Sequence, residues 1–311
     1  MPRLVLTRRT SLAALVGLAA LAGAALPPGA RAQASAPTAT DPSRYRPQDV
    51  SFTMKGGGVF GGDLRLVGTY YRPPQGDGPF PLVVLSHGSD ADAAARRRYS
   101  PRGYWNTARY FLNRGFAVLY FLRPSYGDSE GPYLEANAPQ CDQADYGPGF
   151  KAMADTIASA LDFAATLPQA DRGRVVLAGH SAGGAATLAA VARKPAGVVG
   201  YVNFAGGKGG GEHTPYAPCR ADRVEQLFAD YARTAAVPGL WIYAPNDLYF
   251  GGDVAPRWHR AYQAAGGKAQ LVMTAPAPQD SAGHHIAQQH LGLWTGAADA
   301  WLREQGFAWG R

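Results

Sequence analysis

In residues 174–193 a short apolar run, Val175-Val176-Leu177-Ala178, passes into Gly179-His180-Ser181-Ala182-Gly183 and then into an alanine-rich segment of helical composition. Few arrangements satisfy that order. A buried strand must turn into a helix within a few residues, which leaves Ser181 at the apex of a sharp, strained turn. Glycines on both sides let the following helix come close to the strand. A serine held there presents its hydroxyl to a base and to a carbonyl carbon, and the helix N-terminus behind it offers the Ala182 backbone N–H to a developing oxyanion.

The pentapeptide needs its context. Glycine is abundant, 39 of 311 residues, so Gly-x-Ser-x-Gly arises by chance roughly 0.2 times per chain of this composition. Gly127-Asp128-Ser129-Glu130-Gly131 also fits, but it lies beyond Arg123-Pro124-Ser125-Tyr126 and is followed by Pro132. It reads as a loop without a helix to host an oxyanion. Only Ser181 has strand, turn and helix in sequence.

The flanking chain supplies the rest of a sheet. Residues 50–55 and 64–72 read as strands joined by a glycine-rich turn and able to pair antiparallel. Residues 82–85, 116–122 and 240–244 are apolar runs of the kind expected of strands covered on both faces, and 198–204 and 269–274 also read as strands. Helical spacing places helices over 103–114, 149–167, 221–234, 257–265 and 287–305, the last with Leu291, Trp294, Trp301 and Leu302 on one face. With the Ser181 strand these make an α/β protein of eight mostly parallel strands with helices on both faces. Residues 123–150 form a long loop rich in Pro and Gly, which is expected to border the functional site.

Chemistry-bearing residues fall after strand ends, where open parallel sheets bind ligands. They are Ser86-His87-Gly88-Ser89, Ser181, Pro245-Asn246-Asp247 and, near the C-terminus, His284 and its neighbour His285. Asp247 directly follows its strand and is preferred as acid over Asp253. His87 reads as a histidine that orders its own turn, and His180, His213 and His259 as structural or surface residues. His285 and His290 have the wrong spacing, and no glutamate, for a zinc helix, so no metal or other cofactor is expected. Ala205-Gly206-Gly207-Lys208-Gly209-Gly210-Gly211 lacks the phosphate-loop order and reads as a mobile rim loop. Tyr126, Tyr133, Trp241, Tyr249 and Phe250 are candidates for a pocket lining, or else core residues.

The N-terminus carries Arg8-Arg9, an apolar run over 12–26, and Ala30-Arg31-Ala32, the three regions of an export signal. The arginine pair resembles the twin-arginine type, with Sec export as the alternative because Ser11 stands where an aromatic is usual. The apolar run falls short of the ~20 residues of a spanning helix, so no stable membrane anchor is expected after cleavage behind Ala32, or alternatively Ala34. The expected organisation is an export signal at 1–32, a flexible leader at 33–48 and one domain at 49–311, in the periplasm or secreted. Removing 1–32 takes away Arg3, Arg8, Arg9 and Arg31 and no acid, so the formal charge falls from +7 to +3. Arg96-Arg97-Arg98 then reads as a solvated loop, which argues against nucleic-acid binding. In an exported chain the two cysteines, Cys141 and Cys219, favour a disulfide. Oligomeric state leaves no mark in the sequence.

Over residues 50–309 the chain resembles the α/β-hydrolases, and among them exported bacterial proteins related to dienelactone hydrolase. The resemblance rests on Ser86-His87-Gly88, residues 123–129, Gly179-His180-Ser181-Ala182-Gly183-Gly184, residues 243–247 and Gly283-His284. It implies the α/β-hydrolase fold and the chain order nucleophile, acid, base: Ser181, Asp247 and His284, the last chosen over His285 by its place after Gly283. It also implies oxyanion donors at the Ser89 and Ala182 N–H groups, and a small-molecule carboxylic ester as substrate. Dienelactone hydrolase itself uses a cysteine where this chain has Ser181, so its lactone substrate does not carry over. A peptidase of the same fold and a non-catalytic binding protein are the rival readings. Serine at 181 argues against dehalogenase and epoxide hydrolase chemistry, which use a carboxylate there.

Overall fold

The computed structural model describes residues 41–58, 61–137, 140–211, 213–278 and 283–310. The expected export signal, its cleavage sites and the first half of the leader lie outside the described residues. No helix among the described residues is long and apolar enough to cross a membrane.

β1 (Gln48–Met54) and β2 (Leu64–Tyr71) pair antiparallel, with Gln48 opposite Tyr70 and Met54 opposite Leu64. β1 is a sheet edge, and the second half of the strand alternates exposed and buried residues because one face is wet. β3 (Phe80–Ser86) is followed by the short helix α1 (Ala93–Arg97) and by α2 (Trp105–Leu112), which leads to β4 (Ala117–Phe121). α3 (Gly147–Ala164), β5 (Ala170–His180), α4 (Ala182–Val191), β6 (Val198–Phe204), α5 (Ala221–Ala232), β7 (Gly239–Tyr243), α6 (Val254–Ala264) and β8 (Ala269–Met273) then alternate. The sheet order is β1-β2-β4-β3-β5-β6-β7-β8, and every pairing from β4 to β8 is parallel. This is the eight-stranded, mostly parallel sheet that the apolar runs implied.

α4 lies at the centre of the packing. Its ten residues are all buried, as expected of a helix with no polar face, and their small side chains let it lie close to β5. A Cβ on Gly179 would stand 2.2 Å from the Gly183 carbonyl oxygen, so strand and helix approach only because glycine occupies that position. Ser86 pairs in register with Gly179 and His180 with Phe204, so the loops after β3, β5 and β6 leave the sheet at one edge.

Three local expectations are corrected. Ordered chain begins earlier than residue 49: Asp41 caps a 3-10 turn over Pro42–Tyr45, and Tyr45 is buried with its hydroxyl on Asn113 and its ring against Trp105. The polar composition of the leader hid one aromatic with a tertiary partner. The basic run is likewise not wholly solvated. Arg96 sits on α1 and is buried, donating to the Asp90 and Ala91 carbonyls and lying 4.0 Å from the Tyr133 ring centre. Finally, the closing helix is broken into α7 (Ile286–Gln289), a 3-10 turn at Leu291–Leu293 and α8 (Thr295–Glu304). The break seats Trp294 between Tyr110 and Phe204, with its indole N–H 3.0 Å from the Ile286 carbonyl. Gly292 lowers helix propensity at that point.

Candidate active site

Ser181 stands between β5 and α4 with φ 55 and ψ −126, a conformation that side chains other than glycine rarely adopt. The surrounding backbone enforces it. The Ser181 N–H donates to the Phe204 carbonyl at 2.9 Å, and its carbonyl accepts from the Gly207 N–H at 3.2 Å. Its Oγ lies 3.0 Å from His284 Nε2, and His284 Nδ1 lies 3.1 and 3.0 Å from the two Asp247 oxygens.

Asp247 is fully buried and also accepts from the Tyr249 and Phe250 N–H groups, so its carboxylate is aimed by the turn that follows β7. Tyr249 stacks on the His284 imidazole with centroids 4.0 Å apart, and Phe250 meets it edge-on. Because Asp247 accepts at Nδ1, the neutral imidazole carries its proton there and turns the Nε2 lone pair toward Ser181. That arrangement can remove a proton from the hydroxyl and stabilise the imidazolium that results.

The alternatives are placed elsewhere. Asp253 is exposed and pairs with Arg260. Ser129 is buried, accepting from the Val67 N–H and donating to the Leu122 carbonyl. His285 borders the same cleft, its ring 5.7 Å from that of His284. His259 is buried against the Ala269 carbonyl. Among the described residues no group of three His, Cys, Asp or Glu is placed to hold a metal ion.

Ser89 and Ala182 both line a cleft of about 1220 Å³ above Ser181. The loop that carries Ser89 is fixed from beneath. Buried Arg123 donates to the Ser86 hydroxyl, to the His87 and Gly88 carbonyls and to both oxygens of Glu135. His87 lies in the same layer, its Nδ1 2.7 Å from the Gly88 carbonyl and its Nε2 accepting from the Arg123 N–H, so it does order its own turn. Since a trans peptide points its N–H opposite its C=O, holding the Gly88 carbonyl inward directs the Ser89 N–H the other way. The Ser89 hydroxyl bonds to Glu135.

Burial pushes the Glu135 carboxyl up, but the Arg123 guanidinium and Lys208 outweigh it and hold the group at about 2. Burial lowers the Lys208 ammonium, while Glu135, 4.0 Å away, opposes that shift. In the sequence Arg123 and Lys208 stand out only as members of longer motifs, and Glu135 carries no signal. They lie on two loops that only the fold brings together.

The loop after β4 does border the site: Tyr133, Glu135, Cys141 and Tyr146 line the cleft. Residues 207–211 line it as well and meet that loop, Lys208 lying 4.0 Å from Glu135, so the glycine-rich stretch is a rim. Cys141 and Cys219 form a disulfide that ties the two rims together. Of the aromatic candidates, Tyr133, Tyr249 and Phe250 line the cleft, whereas Tyr126 and Trp241 are fully buried core residues.

No protein-family model matches the chain, and no curated protein sequence matches it significantly. Solved structures do resemble it. An esterase from Pyrococcus furiosus superposes with a TM-score of 0.58 at 15% identity, over 86% of this chain and 93% of its own. A candidate dienelactone hydrolase from Klebsiella pneumoniae gives 0.53 at 16%, over 84% and 98%. An acylaminoacyl peptidase gives 0.55 at 16%, over 85% of this chain but 42% of its own. The chain therefore has the α/β-hydrolase fold.

Proposed function

We propose that the chain is a serine hydrolase of carboxylic esters, working through an acyl-enzyme intermediate. The observation that carries this reading is the continuous line from Asp247 through His284 to Ser181, with 3.0 Å at both of its closest links. His284 takes the hydroxyl proton as Oγ attacks the ester carbonyl. The oxyanion then rests on the Ser89 and Ala182 N–H groups, and His284 returns the proton to the departing alcohol. Water, deprotonated by the same histidine, releases the acid. A histidine base requires that activity fall on acidification.

The esterase neighbours support ester rather than amide substrates. The peptidase neighbour keeps amide cleavage as the second reading, since the same geometry serves both. We further propose export, on the strength of Arg8-Arg9 and the apolar run behind it. A mature chain starting at Gln33 in the periplasm or medium is the expected result of N-terminal sequencing.

Fluorophosphonate labelling with peptide mapping tests the hydrolase reading, run beside hydrolysis of short p-nitrophenyl esters and of an acylated peptide. Label on Ser181 and ester turnover that disappears in Ser181→Ala are expected. A folded protein without label or turnover points instead to a binding protein, and faster peptide than ester cleavage to the second reading.

A further inference from the structure

The residue before the nucleophile has no part in the proton transfers described above, yet it is buried beside them. His180 is 4% exposed, and its Nε2 lies 2.7 Å from the His284 carbonyl oxygen. Its Nδ1 lies 2.6 Å from the Tyr104 hydroxyl, which in turn accepts from the Gly88 N–H at 3.1 Å. Three contacts thus run in series from the loop that carries Ser89 to the residue that carries the base.

The direction of every bond is fixed by chemistry. A backbone N–H only donates, so the Tyr104 oxygen accepts from Gly88; a carbonyl only accepts, so His180 carries its proton on Nε2. Neutral His180 then has a lone pair on Nδ1, which accepts the Tyr104 O–H. Both groups hold the protonation state that the chain needs. Burial pushes the Tyr104 phenol up, so it keeps its proton. Burial first, and then the neighbouring His284, drive the His180 imidazole well below its ordinary value, against the upward pull of its bond to the His284 carbonyl. A positive charge arriving on His284 therefore makes His180 harder to protonate, and the chain survives the step in which the base becomes charged.

Tyr104 is also held at a cost. It caps α2 with φ 55, in the left-handed region, while its ring stacks on Tyr120 at 5.5 Å. Strain at such a residue persists only where the surroundings impose it. Gly88, at the start of the chain of bonds, packs so closely that a Cβ there would stand 3.2 Å from the Ser181 Cβ. Gly88 and His284 flank the nucleophile, and the relay joins them around it.

We infer that Tyr104 and His180 are positioning residues that lock the oxyanion loop and the base to a common spacing about Ser181. The inference rests on the hydrolase reading above. It goes beyond that reading in giving the histidine of Gly-His-Ser-Ala-Gly a definite tautomer and a task. Both border the cleft, but their polar atoms are turned to Gly88 and His284, through which they act.

Nitrogen-15 spectra of the imidazoles in the mature protein, with His180→Gln to assign the signal, read the tautomer directly. The expected result is a neutral Nε2–H form throughout pH 6 to 9. Kinetics of Tyr104→Phe, which keeps the ring and removes the hydroxyl, give the second test. A fall of about 10- to 100-fold in kcat is expected, because small misplacements of reacting groups are costly. KM should stay within about threefold, since the loss concerns alignment and not substrate contact. His180→Gln, whose amide N–H can still reach the His284 carbonyl, should retain more activity than His180→Leu.

Wild-type kcat in a folded Tyr104→Phe, or a His180 that titrates near neutrality or carries its proton on Nδ1, overturns the inference. If Tyr104→Phe does not fold, the wild-type tautomer decides alone. Normal Ser181 labelling in the wild type together with an unaffected Tyr104→Phe removes the relay and leaves the hydrolase reading standing. Absent labelling in the wild type removes both.

Discussion

The two sides of the cleft are held in place by opposite means. On the Ser181 side the structure depends on what is missing: Gly179 has no side chain, α4 is built of small residues, and the contacts are backbone against backbone within a few positions. Across the cleft, the loop after β4 depends on what is added, a buried Arg123–Glu135 pair and the Cys141–Cys219 disulfide. The elbow is thus a geometric object, insensitive to ionic conditions but intolerant of any added atom. The facing wall tolerates irregular backbone, and its charges and its covalent bond are what acid or a reductant would reach.

The largest effect separates chemistry from support. Ser181→Ala is expected to lower kcat about 10⁶-fold, and Asp247→Asn about 10⁴-fold, with little change in thermal stability. Ester kinetics beside a melting curve check both. A loss of folding in either variant would mean that the elbow side carries stability as well as chemistry, and the contrast between the two walls would fail.

On the facing wall the order is reversed. Glu135→Leu leaves Arg123 buried without its counter-ion and is expected to cost about 3–5 kcal/mol, while Arg123→Met with Glu135→Leu together should cost less than either alone. Denaturant unfolding of the singles and the double decides this, and additive losses would sink the idea that the pair acts as a unit. Glu135 also makes the wall sensitive to acid. Its folded value of about 2 lies below the ordinary 4.5, so the stability it contributes is full above pH 4.5. That contribution is lost as pH falls from there toward 2. The double variant, lacking the carboxyl, should lose less stability over that interval than the wild type.

The same contrast explains what the sequence could reveal. Residues 174–193 are legible because strand, turn and helix are consecutive, and the alternating apolar runs disclose the sheet for the same reason. His284 required a resemblance, since spacing alone left His285 as an equal candidate. Glu135 was invisible and Lys208 was legible only as part of a glycine-rich stretch: Glu135 takes its meaning from Arg123 and Ser89, and Lys208 from Glu135, contacts that only the folded chain makes. Tyr45 and Arg96 were misjudged because averaging over a polar stretch conceals a single residue with a tertiary partner. The broken helix at residues 290–294 was missed because correct periodicity on either side masks an interruption made by one tryptophan's hydrogen bond.

The disulfide gives the next smaller effect. It closes a loop of 78 residues, so in the chain-entropy model its removal costs up to about 4 kcal/mol, and measured values often fall below that limit. Cys141→Ala with Cys219→Ala is expected to lower stability by about 2–4 kcal/mol. The elbow should keep its geometry, visible as an unchanged rate of fluorophosphonate labelling. Labelling that slows in proportion to the stability loss would show that the two walls are coupled. Thiol titration of the denatured, unreduced mature protein should find no free thiol.

The smallest expected effect returns to the choice of acid. Asp247 and Asp253 lie six positions apart, on one turn and on its far side. One is fully buried and bonded to His284; the other is exposed and pairs at 3.3 Å with Arg260. An exposed pair of this kind contributes about 0–1 kcal/mol, because water screens it and two flexible side chains must be ordered to form it. Asp253→Asn should therefore leave kcat unchanged and shift stability by no more than about 0.5 kcal/mol. A fall in kcat approaching that of Asp247→Asn would mean that the acid is exchanged during turnover, and that the turn after β7 moves between two arrangements.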